Sequence, residues 1–75
     1  MKEIKVKVYE YKILNKTYFV YVNGENEFTE FYLQQEGIGI IKFAIGIKLN
    51  ETIEDFINRN IMQWVTFYDE DFGED

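Results

Sequence analysis

The stretch that decides the fold is residues 50–68, NETIEDFINRNIMQWVTFY, because two different periodicities meet in it. Its first half carries apolar residues at helical spacing: Ile53, Phe56 and Ile57. Acidic residues occupy what would be the first turn, and Asn50 or Thr52 can cap it. This half predicts a helix of about two to three turns that stops near Asn60.

The second half, residues 61–68, alternates between two sets of side chains and is rich in β-branched and aromatic residues. Such a run is a poor helix former, so we predict a final strand here. The competing interpretation continues the helix through Tyr68. In a strand, one side must face the core, which accounts for Trp64 or Phe67 but not for both.

Residues 3–14, EIKVKVYEYKIL, alternate strictly at first and predict a half-buried strand. The side expected to be buried carries Ile4, Val6 and Val8. The opposite side carries Lys5, Lys7, Tyr9 and Tyr11. Cations interleaved with aromatic rings are also used to hold single-stranded nucleic acid. The net charge of −6 argues against that use, so we predict an ordinary outward face and no direct nucleic-acid binding.

A turn at residues 14–17 and a β-branched, aromatic run at residues 17–22 predict the second strand. Asn23-Gly24 follows, and this pair favours a two-residue type I′ turn, with residues 25–27 in the strand or widening the loop. The third strand is predicted from EFTEFYLQQ at residues 27–35, with Phe31 and Leu33 on one side.

The fourth predicted strand, residues 38–49, is the most apolar segment of the chain. Five apolar side chains share one of its faces: Ile41, Phe43, Ile45, Ile47 and Leu49. We therefore expect it to be the central strand of the core. Gly39 and Gly46 within it predict a bulge or a bend.

These elements predict an α+β domain that is mainly β, in the order β-β-β-β-α-β. We expect a curled antiparallel sheet of about five strands, or a small open barrel, with one short helix before the last strand. Residues 1–68 are predicted to form a single globular domain, and residues 69–75 an acidic C-terminal tail.

The composition excludes several function classes. The chain has no Cys, His or Ser, so it cannot build a Ser-His or Cys-His catalytic pair or a zinc site of Cys and His. The spacing of Asp69, Asp71, Gly73 and Asp75 echoes only the first half of a calcium loop. We predict no enzyme activity, no metal and no cofactor. Without a signal sequence or a long apolar run, we expect a cytoplasmic protein with no membrane contact, in the host cytoplasm if it is viral.

Charge is distributed unevenly along the sequence. Residues 1–16 hold five Lys against two Glu, whereas residues 50–75 hold one Arg against eight acids. The neutral explanation is that the two ends lie together and their charges partly cancel. The functional explanation is that the C-terminal half presents carboxylates to a protein that normally binds nucleic acid.

On that second interpretation the chain is a small acidic inhibitor from a phage or mobile element, a nucleic-acid mimic of the anti-restriction or anti-CRISPR type. The contacts expected with the host protein are Asp69, Glu70, Asp71, Phe72, Glu54, Asp55 and Tyr68. In this set the acids replace phosphates and Phe72 is the apolar anchor. The alternative is a self-associating structural or assembly protein of a virus or phage, for instance a homodimer.

Overall fold

The computed structural model describes residues 6–24, 28–46 and 50–72. It contains a four-stranded antiparallel sheet in the order β1-β2-β3-β4, followed by one helix. The elements are β1 (Val6–Ile13), β2 (Lys16–Asn23), β3 (Glu30–Gln35), β4 (Ile40–Ile45) and α1 (Ile53–Phe72). The predicted α+β class, mainly β, is confirmed. The sheet is open, with β1 and β4 at its edges, and does not close into a barrel.

The predicted fifth strand is wrong, because residues 61–68 continue the helix. The buried side chains of α1 keep the helical period across its whole length: Ile57, Ile61, Trp64, Val65 and Tyr68. Asn60 does not stop the helix, and its side-chain amide donates to the Phe56 carbonyl at 2.9 Å. Poor helix propensity costs only about 0.7 kcal/mol or less per residue, whereas burying one large apolar side chain gains about 1.5–3 kcal/mol. Packing therefore outweighs propensity here.

Two hairpins join the first three strands. Leu14 and Asn15 form the two-residue turn between β1 and β2. Their φ angles, 52° and 69°, are both positive, as the two central residues of a type I′ turn require. The predicted turn at this point is confirmed. The β2–β3 hairpin is also confirmed, but Asn23 pairs with Glu30, so the connection spans residues 24–29 and is not a two-residue turn.

The core lies between one face of the sheet and α1. On the sheet side it is built from Tyr18, Val20, Val22, Phe31 and Leu33, all almost completely buried. Aromatic rings dominate the contact with the helix. Trp64 packs against Phe31 with 5.8 Å between ring centroids and against Phe43 with 6.0 Å.

The predicted burial of the Ile4, Val6 and Val8 face is wrong for the residues that the structure describes. Val6 is 46% exposed and Val8 is 53% exposed, while Ile4 lies outside the described residues. Tyr11 pairs with Tyr18, whose side chain is buried between the sheet and the helix. The face of β1 that carries Tyr11 therefore turns toward the helix, and the face that carries Val6 and Val8 turns away from it. The pairing with β2 thus decides which face of β1 is inside.

The fourth strand is an edge strand and not the centre of the sheet. Its register shifts opposite Phe31 and Tyr32, which leaves Phe43 as the extra residue of a bulge. Phe43 and Ala44 can therefore both pack against the core, while Ile45 is 63% exposed. Ile47 and Leu49 lie outside the described residues. The bulge is at Phe43, and the two glycines flank the strand.

Candidate protein-binding surface

The N-terminal turn of α1 carries two of the predicted contacts. Thr52 caps the helix, because its Oγ1 accepts a hydrogen bond from the Asp55 backbone N–H at 3.0 Å. This cap fixes the direction in which Glu54 and Asp55 leave the helix, and both side chains are exposed. Carboxylates at a helix N-terminus are favoured by the helix dipole, so these two acids also stabilise the helix.

Arg59, the only basic residue of α1, is already paired within the chain. Its Nε and Nη2 donate to the two carboxylate oxygens of Glu51 at 2.9 and 3.0 Å, which is a bidentate ion pair. The guanidinium carbon also lies 5.5 Å from the centroid of the Phe56 ring. Glu51 raises the pKa of Arg59 through the hydrogen bond. The positive charge of Arg59 is therefore balanced locally, and the rest of the helix surface is negative.

The C-terminal turn of α1 carries three consecutive acids, Asp69, Glu70 and Asp71, and no basic residue. The helix dipole places partial negative charge at this end, so acids here are unfavourable by a few tenths of a kcal/mol up to about 1 kcal/mol each. Asp69 accepts a hydrogen bond from the Tyr18 hydroxyl at 3.0 Å. Glu70 and Asp71 are exposed. The residues that sequence reasoning assigned to a tail are thus the end of a helix as far as residue 72.

The more exposed of the two outward aromatic rings in this region is Phe67, ahead of Phe72 at 39%. Its side chain is 49% exposed, whereas Trp64 is 5% exposed and belongs to the core. On a helix, residues three and four positions apart are neighbours, so Phe67 lies beside Glu70 and Asp71. We call these three residues, Phe67, Glu70 and Asp71, the α1 acidic patch. The sequence prediction named Phe72 as the anchor and did not select Phe67.

Phe72 and Tyr68 have partners within the chain. The Phe72 ring packs on Tyr68 with 4.8 Å between ring centroids, and it also covers Gly39. Tyr68 is fully buried, and its hydroxyl accepts from the Gln35 backbone N–H at 3.0 Å and donates to the Gly39 carbonyl. Tyr68, which the sequence predicted as a partner contact, is therefore a core residue in this structure.

The predicted contact set is divided between the two ends of α1. Asp55 and Glu70 are fifteen positions apart, which corresponds to about 22 Å along a helix axis. Between them the outward side holds the neutralised Arg59 and an exposed Met62. A single partner would have to follow the whole helix to contact both acidic ends.

Within residues 6–24, 28–46 and 50–72, no three acidic side chains come together as a metal site requires. In this described part of the chain, no helix is both long enough and apolar enough to cross a membrane. Comparison with protein-family models, curated proteins and solved structures found no match.

Proposed function

We propose that this chain is a non-enzymatic protein-binding module that uses the outward side of α1 to bind a basic partner. The observation that carries the proposal is the α1 acidic patch, in which an exposed Phe67 lies beside two exposed carboxylates. An apolar ring surrounded by charged groups has the composition of an interface hot spot with its rim. The acids supply electrostatic steering and the ring supplies buried area.

The electrostatics of α1 favour a basic partner. The helix has five acids, and its one Arg is paired with Glu51. Three of the acids stand where the helix dipole is also negative. Cations from a partner would relieve this unfavourable arrangement, so binding energy is gained at residues that reduce the stability of the free protein.

The class of partner follows from the length and sign of this surface. Carboxylates along about 22 Å of helix can occupy a basic groove that normally holds a phosphate backbone. We therefore propose a nucleic-acid-binding protein as the partner, with the chain acting as an inhibitory mimic of the kind that phages and mobile elements use. Glu70 and Asp71 are the phosphate surrogates and Phe67, in place of Phe72, is the anchor.

The test uses two matched pairs of variants. Glu70→Lys is compared with Glu36→Lys, which makes the same charge change at an exposed turn residue of the β3–β4 connection. Phe67→Ala is compared with Leu14→Ala, since Leu14 is 86% exposed in the β1–β2 turn and lies outside α1. Each tagged variant is used to capture proteins from a lysate of the native host at low and then high salt.

The expected result is one captured nucleic-acid-binding protein that elutes as salt rises and that duplex DNA displaces from the chain. Glu70→Lys and Phe67→Ala should each weaken its capture by about tenfold or more, while the two control variants retain it. If Glu36→Lys weakens capture as much as Glu70→Lys, only net charge matters and the patch is not the site. Capture that DNA does not displace would remove the mimic part of the proposal.

A further inference from the structure

The face of the sheet that points away from α1 has an unusual composition. We call it the open sheet face, and it consists of alternate residues that pair across the strands in three rows. The first row is Val6, Asn23, Glu30 and Ile45; the second is Val8, Tyr21, Tyr32 and Lys42; the third is Glu10, Phe19, Gln34 and Ile40. Lys12 and Thr17 continue the face on β1 and β2.

Seven of those twelve side chains are aliphatic or aromatic, although an antiparallel sheet normally shows polar residues on its solvated side. The aliphatic ones are well exposed, with values of 53% for Val8, 51% for Ile40 and 63% for Ile45. Strand spacing and rise give the three rows a projected area of roughly 400 Å². The largest exposed patch on a typical monomer has about this size and is often functional.

Within the three rows, the polar groups on the two central strands of this face, and Lys42 beside them, are paired with one another. Tyr32 donates to the Glu30 carboxylate at 2.9 Å, and Tyr21 donates to the Gln34 side-chain oxygen at 2.8 Å. Lys42 lies 3.6 Å from the other Glu30 oxygen. Covering a polar group is costly when it loses its hydrogen bonds, so these paired groups can be covered at a lower cost than unpaired ones.

The charge of the open sheet face indicates which molecule can cover it. The chain as a whole carries −6, and the helix side is strongly negative. The open sheet face has Glu10 and Glu30 against Lys12 and Lys42, so it is neutral. A second copy of this acidic chain is repelled from the helix side but not from this face.

We propose that the open sheet face is the interface of a homodimer, in which two sheets stack about a two-fold axis parallel to the strands. This axis places β1 of one copy over β4 of the other and β2 over β3. Val6 then faces Ile45 of the second copy, and Tyr21 faces Tyr32. Both are apolar or aromatic contacts, and the two-fold axis creates each of them twice.

Charge complementarity favours a two-fold axis parallel to the strands over an axis that runs across them. With the axis parallel to the strands, Glu10 lies one row from Lys42 of the second copy, about 7 Å along the strand, and the relation occurs twice. An axis across the strands through the middle row would instead place Lys42 directly over Lys42 of the second copy and Glu10 over Val6. Stacked sheets lie about 10 Å apart, a gap that these long side chains span.

The dimer does not compete with the helix surface. The open sheet face and α1 are on opposite sides of the sheet, so the dimer would present two acidic helices facing away from each other. The inference therefore stands independently of the proposed function. Because the patch is smaller than the roughly 800 Å² per partner of a standard interface, we expect a dimer that dissociates on dilution.

A charge-swap experiment tests both the surface and the axis. Sedimentation equilibrium of the full chain over about a hundred-fold dilution should show a monomer–dimer equilibrium. Glu10→Lys and Lys42→Glu should each be folded by circular dichroism and monomeric alone, because each creates two repulsive contacts. Their equimolar mixture should form a heterodimer, in which both contacts again join opposite charges.

The control is Glu70→Lys, which makes the same charge change on α1, on the other side of the sheet, and should dimerise as the unchanged chain does. Lys42→Glu also removes the ion pair with Glu30 of the same chain. Mixing the two variants cannot restore this ion pair, because it lies within one chain. A dimer that forms in the mixture therefore reports the contacts across the interface. A monomer at all concentrations, single variants that still dimerise, or a mixture that remains monomeric would each overturn the proposal.

Discussion

Tyr18 donates a hydrogen bond to Asp69, with 3.0 Å between the hydroxyl oxygen and Oδ1, and this bond joins the centre of the sheet to the last turn of α1. The Tyr18 ring is 1% exposed and packs edge-on against Tyr68, with 6.1 Å between ring centroids. Burial, and then the bond to Asp69, raises the pKa of Tyr18 to about 12. One of the three C-terminal acids is therefore held by the core, which leaves the other two for a partner.

The raised pKa of Tyr18 predicts a loss of stability at alkaline pH. Between pH 10.0, where the free phenol ionises, and about 12, the unfolded chain releases this proton but the folded chain keeps it. Stability therefore falls as pH rises through this window, with a contribution on the order of 1 kcal/mol per pH unit. Urea unfolding at several pH values should show a smaller alkaline slope for Tyr18→Phe.

Asp69→Asn is the companion variant for this prediction. The amide can still accept the hydrogen bond but lacks the negative charge that disfavours ionisation of Tyr18. Because burial is the larger cause of the raised pKa, the alkaline slope should decrease only in part. A Tyr18→Phe protein that loses stability with pH as steeply as the unchanged chain would contradict the assignment.

Tyr68→Phe should be the most destabilising loss of a single hydroxyl. The Tyr68 hydroxyl serves the Gln35 backbone N–H and the Gly39 carbonyl, and the side chain is fully buried. Its removal leaves both backbone groups without this partner, so the free energy of unfolding should fall by about 1–3 kcal/mol. Tyr11→Phe, which loses an exposed bond to Asn58, is the control and should change stability by about 0.5 kcal/mol or less.

Gly39 and Phe72 should be energetically coupled. A Cβ at position 39 would lie 2.9 Å from the Phe72 Cζ and 3.1 Å from its Cε1, so the ring must move when the glycine is replaced. We expect Gly39→Ala to reduce the free energy of unfolding by about 1 kcal/mol in the unchanged chain. In a Phe72→Ala background the same change should cost much less. Equal costs in the two backgrounds, measured by urea unfolding, would mean that the contact is not made in solution.

Where one periodicity stands alone, the sequence predicts the structure well. In β3, Phe31 and Leu33 share one side as predicted, and both are fully buried. In β1 both faces hold apolar side chains, and only the pairing of Tyr11 with Tyr18 selects the inner one. That information lies in another strand, so the alternation of β1 by itself could not supply it.

The predicted end of the helix near Asn60 is wrong for a related reason. Residues 61–68 fit a period of two and also a helical period, since Ile61, Trp64, Val65 and Tyr68 continue the spacing of Ile57. Continuing the helical period past Asn60 would have identified Phe67 as an outward ring. The bond from Tyr18 to Asp69 spans 51 positions, and no local pattern in the sequence could have indicated it.

Thr52, which caps α1, and Thr66, which lies within it, should respond in opposite directions to the same substitution. Thr52 caps the helix through its bond to the Asp55 N–H, so Thr52→Ala should lower the free energy of unfolding by about 1 kcal/mol. Thr66 is exposed in the helix interior, where its hydroxyl donates back to the Met62 carbonyl. Alanine is the better helix former there, so Thr66→Ala should raise stability by about 0.5 kcal/mol. Urea unfolding of both variants measures the difference. If residues 61–68 were a strand, Thr66→Ala would instead lower stability, because threonine is favoured over alanine in strands.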